Sequence, residues 1–196
     1  MRFPEIRSHL FNFRVGLAGA GGLGSNCAIA LARCGVGNLI ICDFDVVEDS
    51  NLNRQYYFRE QIGMLKVIAL KQNISRIDPG INVEAVYEKL ESGNIPTIFK
   101  DCNVIVEALD SAEMKEMMIE TSQSKLSKIP LITASGVAGW GNPNEIRCRK
   151  VDDTFYICGD GKNEESSELP AIAPHVAIVA NMQADIVIEL LMSMKR

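Results

Sequence analysis

Six consecutive residues near the start of the chain fit the glycine pattern GxGxxG: Gly19-Ala20-Gly21-Gly22-Leu23-Gly24. The pattern follows an apolar run at 13–18 and precedes a stretch of helical composition at 25–33, which predicts a strand, a tight turn and a helix. Glycine leaves backbone N–H groups open to a phosphate that a Cβ would keep away, and the helix dipole favours negative charge. We therefore expect these glycines to bind a nucleotide, with tight packing as the alternative.

An acidic side chain, Asp43, follows the next apolar run at 39–42 and lies 19 residues after Gly24. At this position in nucleotide-binding α/β proteins, an acid accepts hydrogen bonds from a ribose. The glycine pattern and Asp43 do not separate NAD, FAD and ATP. An NAD-dependent oxidoreductase is therefore one alternative that these residues leave open.

The connection that begins at Asp43 is more specific, because it starts an ordered series of polar motifs. The series comprises the glycine turn, Asp43 to Asp45 (DxD), Ser50 to Gln55 (SNLNRQ), Gly63 to Lys66, and Leu109-Asp110 after a predicted buried strand. In this order the motifs resemble those of the superfamily of ubiquitin-activating enzymes and its bacterial relatives ThiF and MoeB. The resemblance covers most of the chain. Features at 134–139, 156–161 and 173–174 resemble the short ThiF-like form in particular.

The resemblance implies an adenylyltransferase. Such an enzyme activates the C-terminal glycine carboxylate of a small ubiquitin-like sulfur-carrier protein ending in Gly-Gly, by attack on the α-phosphate of ATP with release of pyrophosphate. The acceptor that we expect is a ThiS-like carrier of thiazole (thiamine) biosynthesis, with a MoaD-like carrier, a tRNA base or a peptide as alternatives. A non-catalytic adaptor that binds a ubiquitin-like partner is disfavoured, because the charged positions of the site are retained.

Residue roles also follow from the resemblance. Arg54 and Lys66 would contact the phosphates, the first as a planar fork and the second as a point charge. Asp110 would hold Mg²⁺ on the phosphates, and Asp43 would hold the ribose. The implied catalytic residues are Arg54, Lys66 and Asp110, and the implied ATP-binding set is Gly19, Gly21, Gly22, Gly24, Asp43, Asp45, Ser50, Asn51, Asn53, Arg54, Gln55, Lys66, Asp110 and Ser111.

The family also implies a homodimer. In MoeB-like proteins an arginine from an N-terminal helix reaches across the dimer interface, and Arg2 and Arg7 are the candidates in this chain.

Each of these side chains also has a structural explanation. Arg54 and Lys66, taken singly, are typical solvated surface charges. Asp110 and Ser111 could cap the helix that follows them, and Asn51 could form a turn, as could Asn53.

The cysteines predict neither a zinc site nor a redox pair. The chain has six Cys and two His, and no two Cys are separated by only two residues. MoeB-like proteins carry two CxxC zinc pairs that are absent here, so no zinc is expected. Cys158 alone lies in an apparently polar context, YICGDG, and is a candidate for a covalent role, although neighbouring acids would raise its pKa.

Composition predicts a cytoplasmic globular protein with one domain over residues 1–196. The chain is 47% hydrophobic and carries a net charge of -5, which disfavours nucleic acid as a partner. Charged residues at 2, 5 and 7 argue against a secretory leader. Polar residues within the apolar segment at 171–192 favour a helix with one buried face over a membrane span.

Apolar runs alternate with helical stretches along most of the chain, which predicts a doubly wound, Rossmann-like α/β fold with a mainly parallel sheet. A small antiparallel extension is expected at 145–158, then a mobile loop at 159–168 and a C-terminal helix from about Ala173. Strands are predicted at 13–18, 39–42, 82–87, 103–108, 130–135, 145–151 and 154–158, and helices at 25–33, 61–77, 92–100 and 112–126.

Overall fold

The computed structural model describes residues 1–163 and 166–194. Its strands are β1 (Arg14–Ala18), β2 (Asn38–Cys42), β3 (Asn82–Val86), β4 (Val104–Glu107), β5 (Leu131–Ala134), β6 (Arg147–Lys150) and β7 (Phe155–Gly159). Its α-helices are α1 (Phe3–Leu10), α2 (Gly22–Cys34), α3 (Lys66–Ile77), α4 (Ile95–Phe99), α5 (Ala112–Lys125) and α6 (Ala173–Ser193).

All seven strands form one sheet in the order β3-β2-β1-β4-β5-β7-β6. Every neighbouring pair is parallel except β6 and β7, which form the antiparallel edge. The predicted fold class is therefore confirmed, including the antiparallel extension and the C-terminal helix.

Helices cover both faces of the sheet. Side chains alternate between the two faces along each strand, and both faces of the central strands carry apolar side chains. Leu39 and Ile41 of β2 belong to the core beneath α2, α3 and α6. Ile40, between them, belongs to the second core, beneath α4 and α5. The central strands are buried on both sides, as their continuous apolar runs predict.

Helix α6 joins the C-terminal segment to the centre of the sheet. Among the described residues it is the one helix whose length and composition, with a mean hydropathy of 1.6, would suffice to cross a membrane. In the fold its buried side chains pack on α2 and the sheet. Gln183, on the buried face of the helix, donates from Nε2 to the carbonyl of Glu107 at 3.0 Å.

The start of α3 differs from the prediction. The predicted helix at 61–77 begins at Lys66, because Gly63 has a left-handed backbone (φ +87°) and the chain before Lys66 bonds to the segment after β2. Val46 and Leu65 form an isolated bridge there. Lys66 therefore occupies the first position of a helix and not its middle.

Two other helices also differ. Helix α1 was not predicted, and the predicted helix at 92–100 is limited to α4, with Pro96 in its first turn. Of the predicted mobile loop at 159–168, residues 164 and 165 lie outside the described residues. The part before them is a turn in which Asp160 Oδ1 accepts the backbone N–H of Lys162 at 2.8 Å.

Candidate active site

A cleft of about 460 Å³ opens at the carboxyl ends of the central strands. β1 and β4 lie side by side there, and the chain leaves them toward opposite edges of the sheet. Such a switch point separates two connections and forms the crevice in which open α/β sheets bind ligands. Nine of the predicted residues line the cleft: Gly19, Gly21, Gly22, Asp43, Asp45, Arg54, Gln55, Lys66 and Asp110.

The glycines of the turn have two roles: some allow close packing of the backbone, and one leaves space for a ligand. Gly19 has φ +105°, and a Cβ there would lie 2.5 Å from the carbonyl oxygen of Ala108. A Cβ on Gly24 would lie 2.0 Å from the carbonyl oxygen of Gly19, so Gly24 serves close packing and does not line the cleft. At Gly21 a Cβ would meet only Gln55 Nε2, at 3.9 Å. Gly21 therefore leaves room for a ligand beside the backbone.

Helix α2 begins at Gly22, directly on the cleft. Within residues 1–163 and 166–194, no side chain caps its first turn by a hydrogen bond. The N–H groups and the positive end of the helix dipole are thus available to an anion. This wall of the cleft suits a phosphate.

Asp43, at the end of β2, is held by the backbone of the turn. Its Oδ2 accepts the N–H of Ala20 at 2.7 Å and its Oδ1 the N–H of Asp45 at 2.8 Å. Burial raises the pKa of Asp43, while these N–H groups and nearby Lys66 act in the opposite direction. The carboxylate fixes the turn and keeps further lone pairs for a ribose hydroxyl.

Lys66 is a nearly buried cation on the wall of the cleft. Its side chain is only 7% exposed, and Nζ lies 2.7 Å from Oδ2 of Asp45, which is 48% exposed. The backbone N–H of Lys66 also donates to the Asp45 carbonyl at 2.9 Å. An ammonium has three donors, so this pairing leaves capacity for phosphate oxygens.

The segment that carries Arg54 is anchored on α2. Asn26 donates from Nδ2 to the carbonyl of Arg54 at 2.9 Å and to that of Gly22 at 2.7 Å. Ser25 Oγ accepts the N–H of Tyr56 at 2.9 Å. These bonds hold the segment against the glycine turn.

Gln55 follows Arg54 in this segment, and its side chain lies beside the glycine turn, where a Cβ on Gly21 would be 3.9 Å from Nε2. Its Oε1 is buried and, among the described residues, has no hydrogen-bond partner. Because an unmatched buried acceptor is costly, it is a candidate contact for a donor on a ligand.

Besides Gly24, four predicted residues lie outside the cleft lining: Ser50, Asn51, Asn53 and Ser111. Asn51 Oδ1 accepts the backbone N–H of Glu48 at 3.0 Å, and Ser111 Oγ caps α5 by accepting the N–H of Met114 at 3.2 Å. These bonds match the turn and capping explanations. Nucleotide contact by the four residues stays a prediction.

Asp110 follows β4 and is exposed on the cleft. Within the described ranges, no group of three or more His, Cys, Asp or Glu side chains could hold a metal by itself. Mg²⁺ needs no such group when it is held by one or two carboxylates and substrate phosphates. An open carboxylate on the same cleft as the glycine turn therefore fits Mg²⁺ bound to a nucleotide.

Sequence reasoning missed the apolar end of the cleft. Phe44 and Leu90 line it after β2 and β3, and the Lys89 ammonium lies 5.9 Å from the centre of the Phe44 ring. The opposite end is lined by Val137, Ala171 and Val176. The one available signal was position, since several of these residues follow the carboxyl ends of parallel strands.

Another omission is the ion pair of Glu107 and Lys115, in which Nζ lies 2.9 Å from Oε1. Glu107 is fully buried at the end of β4, and Lys115 lines the cleft.

The polar setting expected for Cys158 is wrong. Its side chain is fully buried in the core, directly across the β6–β7 pair from Cys148, and it does not line the cleft. Burial raises the pKa of the Cys158 thiol. This geometry does not favour a nucleophile.

The two N-terminal arginine candidates lie away from the cleft of their own chain. Arg7 forms an ion pair with Asp78 and packs at Gly35, where α2 ends. Arg2 pairs with Glu5 at 2.8 Å.

The sequence was compared with models of known protein families. The model of the ThiF family matches residues 3–196. The chain belongs to the ThiF family.

Relatives of this ThiF-family chain carry names of adenylyltransferases. It is 34% identical over 181 residues to the adenylyltransferase and sulfurtransferase UBA4 of Saccharomyces cerevisiae, covering 89% of this chain and 41% of the relative. It is 31% identical over 177 residues to the molybdopterin-synthase adenylyltransferase of Haemophilus influenzae, covering 86% of this chain and 70% of the relative. The chain thus spans less than half of the yeast relative.

Among solved structures, the ThiF-family chain is similar in fold to Escherichia coli tRNA N6-threonylcarbamoyladenosine dehydratase, crystallised in complex with ATP. The TM-score is 0.86 at 21% identity, over 96% of this chain and 89% of the other.

Proposed function

We propose that this chain adenylates the C-terminal glycine carboxylate of a small ubiquitin-like sulfur-carrier protein ending in Gly-Gly, with release of pyrophosphate from ATP. The observation that carries the proposal is the nearly buried Lys66 on a cleft that also holds Arg54 and an uncapped glycine turn. Burying a cation costs free energy, and an adjacent polyanion offsets that cost. The names of the yeast and Haemophilus relatives support this reaction class.

The triphosphate would lie along the glycine turn. Backbone N–H groups at the start of α2, the Lys66 ammonium and the Arg54 guanidinium would neutralise its charge. Catalysis then consists mainly of holding the reactants in line and stabilising charge on the transferred group. Asp110 would hold Mg²⁺, which supplies positive charge to the phosphates when bound.

The nucleoside would occupy the other part of the cleft. Asp43 would accept hydrogen bonds from the ribose, and the apolar surface of Phe44 and Leu90 would receive the adenine ring. An ATP complex of the structurally similar E. coli dehydratase supports a nucleotide in this fold.

The carrier tail would enter from the end lined by Val137, Ala171 and Val176. Its carboxylate oxygen attacks the α-phosphorus, the bond from that phosphorus to the β-phosphate bridging oxygen breaks, and pyrophosphate leaves.

Within this reaction class, a ThiS-like carrier of thiamine biosynthesis is our proposed acceptor. The segment from Tyr156 to Gly161 resembles the short ThiF-like form, which supports this choice. Beyond the glycine turn and Asp43, no feature of the described cleft favours an NAD-dependent oxidoreductase.

The proposal is tested by ATP–pyrophosphate exchange with purified protein, Mg²⁺ and a panel of carriers. Exchange that depends on a ThiS-like carrier is expected, and a MoaD-like carrier and unmodified tRNA serve as competing acceptors. Exchange with MoaD alone would overturn the thiamine assignment. ATP binding without exchange for any Gly-Gly carrier would contradict the reaction itself.

A further inference from the structure

A buried charged network lies beneath the cleft at the end of β4. The Glu107 carboxylate is fully buried, and three groups donate to it. Its Oε1 accepts the backbone N–H of Leu109 at 2.7 Å and Lys115 Nζ at 2.9 Å. Its Oε2 accepts Lys115 Nζ at 3.1 Å and the hydroxyl of Thr133.

Lys115 connects this network to the next strand. Its Nζ also donates to the carbonyl of Ala134 at 3.2 Å, at the end of β5. The ammonium therefore has three acceptors within the protein, although the side chain lines the cleft. Such a saturated cation is suited to holding neighbouring groups in place.

The network controls the path of the chain to Asp110. The N–H of Ala108 donates to the carbonyl of Ala18 at 2.8 Å, and the next N–H, of Leu109, is held by Glu107. Ser111 then caps α5. These three attachments fix the backbone on both sides of Asp110.

Stability alone is a weak reason for this arrangement. Desolvation of a buried ion pair offsets much of its attraction, and well-packed apolar residues of similar size are often equally stable. A carboxylate, however, can accept the Leu109 N–H directly before Asp110, and an apolar residue cannot.

We propose that Glu107, supported by Lys115 and Thr133, is a positioning residue that sets the Asp110 carboxylate for the Mg²⁺ of the bound nucleotide. The inference rests on the function proposed above for Asp110. Glu107 acts through the Leu109 N–H and makes no contact with the nucleotide. Groups that orient a metal ligand typically change metal affinity or activity by about 10- to 100-fold when they are removed.

The double variant Glu107→Leu/Lys115→Met tests this role, because it removes both charges and leaves an apolar core. ATP affinity is measured by calorimetry with Mg²⁺ and with EDTA, alongside the thermal midpoint. We expect a folded protein whose ATP affinity falls much more in Mg²⁺ than in EDTA, and a Mg²⁺ concentration for half-saturation raised about tenfold or more. Lys125→Met, on the exposed side of the same helix, should match wild type in every measurement.

Thr133→Val and Thr133→Ser form a milder second pair, informative even if the double variant does not fold. Valine removes one donor to Glu107 and should raise the Mg²⁺ requirement severalfold, and serine should restore it. A changed thermal midpoint with an unchanged Mg²⁺ requirement, in either variant series, would overturn the positioning role and leave a structural one.

The same measurements separate this inference from the proposed function. A wild-type protein that binds ATP equally well with and without Mg²⁺ would overturn the role of Asp110 and the inference together. Mg²⁺-dependent ATP binding that is lost in the variants, without carrier-dependent exchange in wild type, would contradict only the proposed function.

Discussion

Replacement of Lys66 by methionine separates the stability of the fold from the chemistry of the cleft. Methionine keeps most of the side-chain volume and removes the ammonium that lies 2.7 Å from Asp45. Asp45 is 48% exposed and remains hydrated, so we expect a loss of about 1–2 kcal/mol in the free energy of unfolding. For a chain of this size, that corresponds to a fall of about 2–8 °C in the thermal midpoint.

The expected catalytic loss is larger. Removing one preorganised donor to charge in a transition state typically lowers kcat by about 10²–10³-fold, or about 2.7–4 kcal/mol. A domain with an unfolding free energy of about 5–15 kcal/mol stays folded after losing 1–2 kcal/mol. Lost exchange activity in Lys66→Met would therefore not reflect unfolding.

The assay is ATP–pyrophosphate exchange with carrier, measured over a range of ATP concentrations, together with thermal melts. Lys71→Met, an exposed position on the same helix, is the matched control and should behave as wild type. Lys66→Met/Asp45→Asn removes the carboxylate left unpaired and shows how much of the loss comes from its repulsion of the phosphates. Exchange by Lys66→Met within about threefold of wild type would refute the phosphate role.

Three further predictions concern other parts of the site. Burial raises the pKa of Asp43, and protonation of its carboxylate would remove acceptors for the ribose. ATP affinity should therefore fall as pH is lowered from about 7 toward that raised pKa. Constant affinity down to about pH 4, with circular dichroism showing a folded protein, would contradict this role. Gly24→Ala should unfold at a much lower temperature than wild type, because its Cβ would lie 2.0 Å from the Gly19 carbonyl oxygen. Gly21→Ala should fold normally and bind ATP more weakly. Equal thermal midpoints for the two variants would show that this packing argument is wrong. Cys158→Ala should retain carrier-dependent exchange because the thiol is buried away from the cleft, and a loss of adenylate formation at an unchanged thermal midpoint would restore its covalent role.

The sheet was predictable because its central strands are short apolar runs separated by turn residues, and its edge strands β3 and β6 lie in segments that alternate in polarity. The residues at 39–42 form an apolar run that predicts a buried strand. Asp43, directly after it, marks the carboxyl end of the strand, where the ligand site is expected. The glycine pattern and the ordered motifs after it predicted nine of the residues that line the cleft.

The remaining site features depend on contacts that have no local sequence signal. The start of α3 at Lys66 is set by the left-handed Gly63 and by a backbone bond to Asp45. Glu107 looks like the charged end of an apolar run until the fold brings Thr133 and Lys115 to it. Such tertiary partners come from separate elements, so periodicity along the chain does not reveal them.

The most direct test of the proposed reaction is the intact mass of a ThiS-like carrier after incubation with this protein, ATP and Mg²⁺, without any sulfur donor. The account predicts a carrier with the added mass of AMP and an equal amount of pyrophosphate, and no product from a carrier that lacks its final glycine. An unmodified carrier, under conditions in which ATP binding is demonstrated, would contradict it.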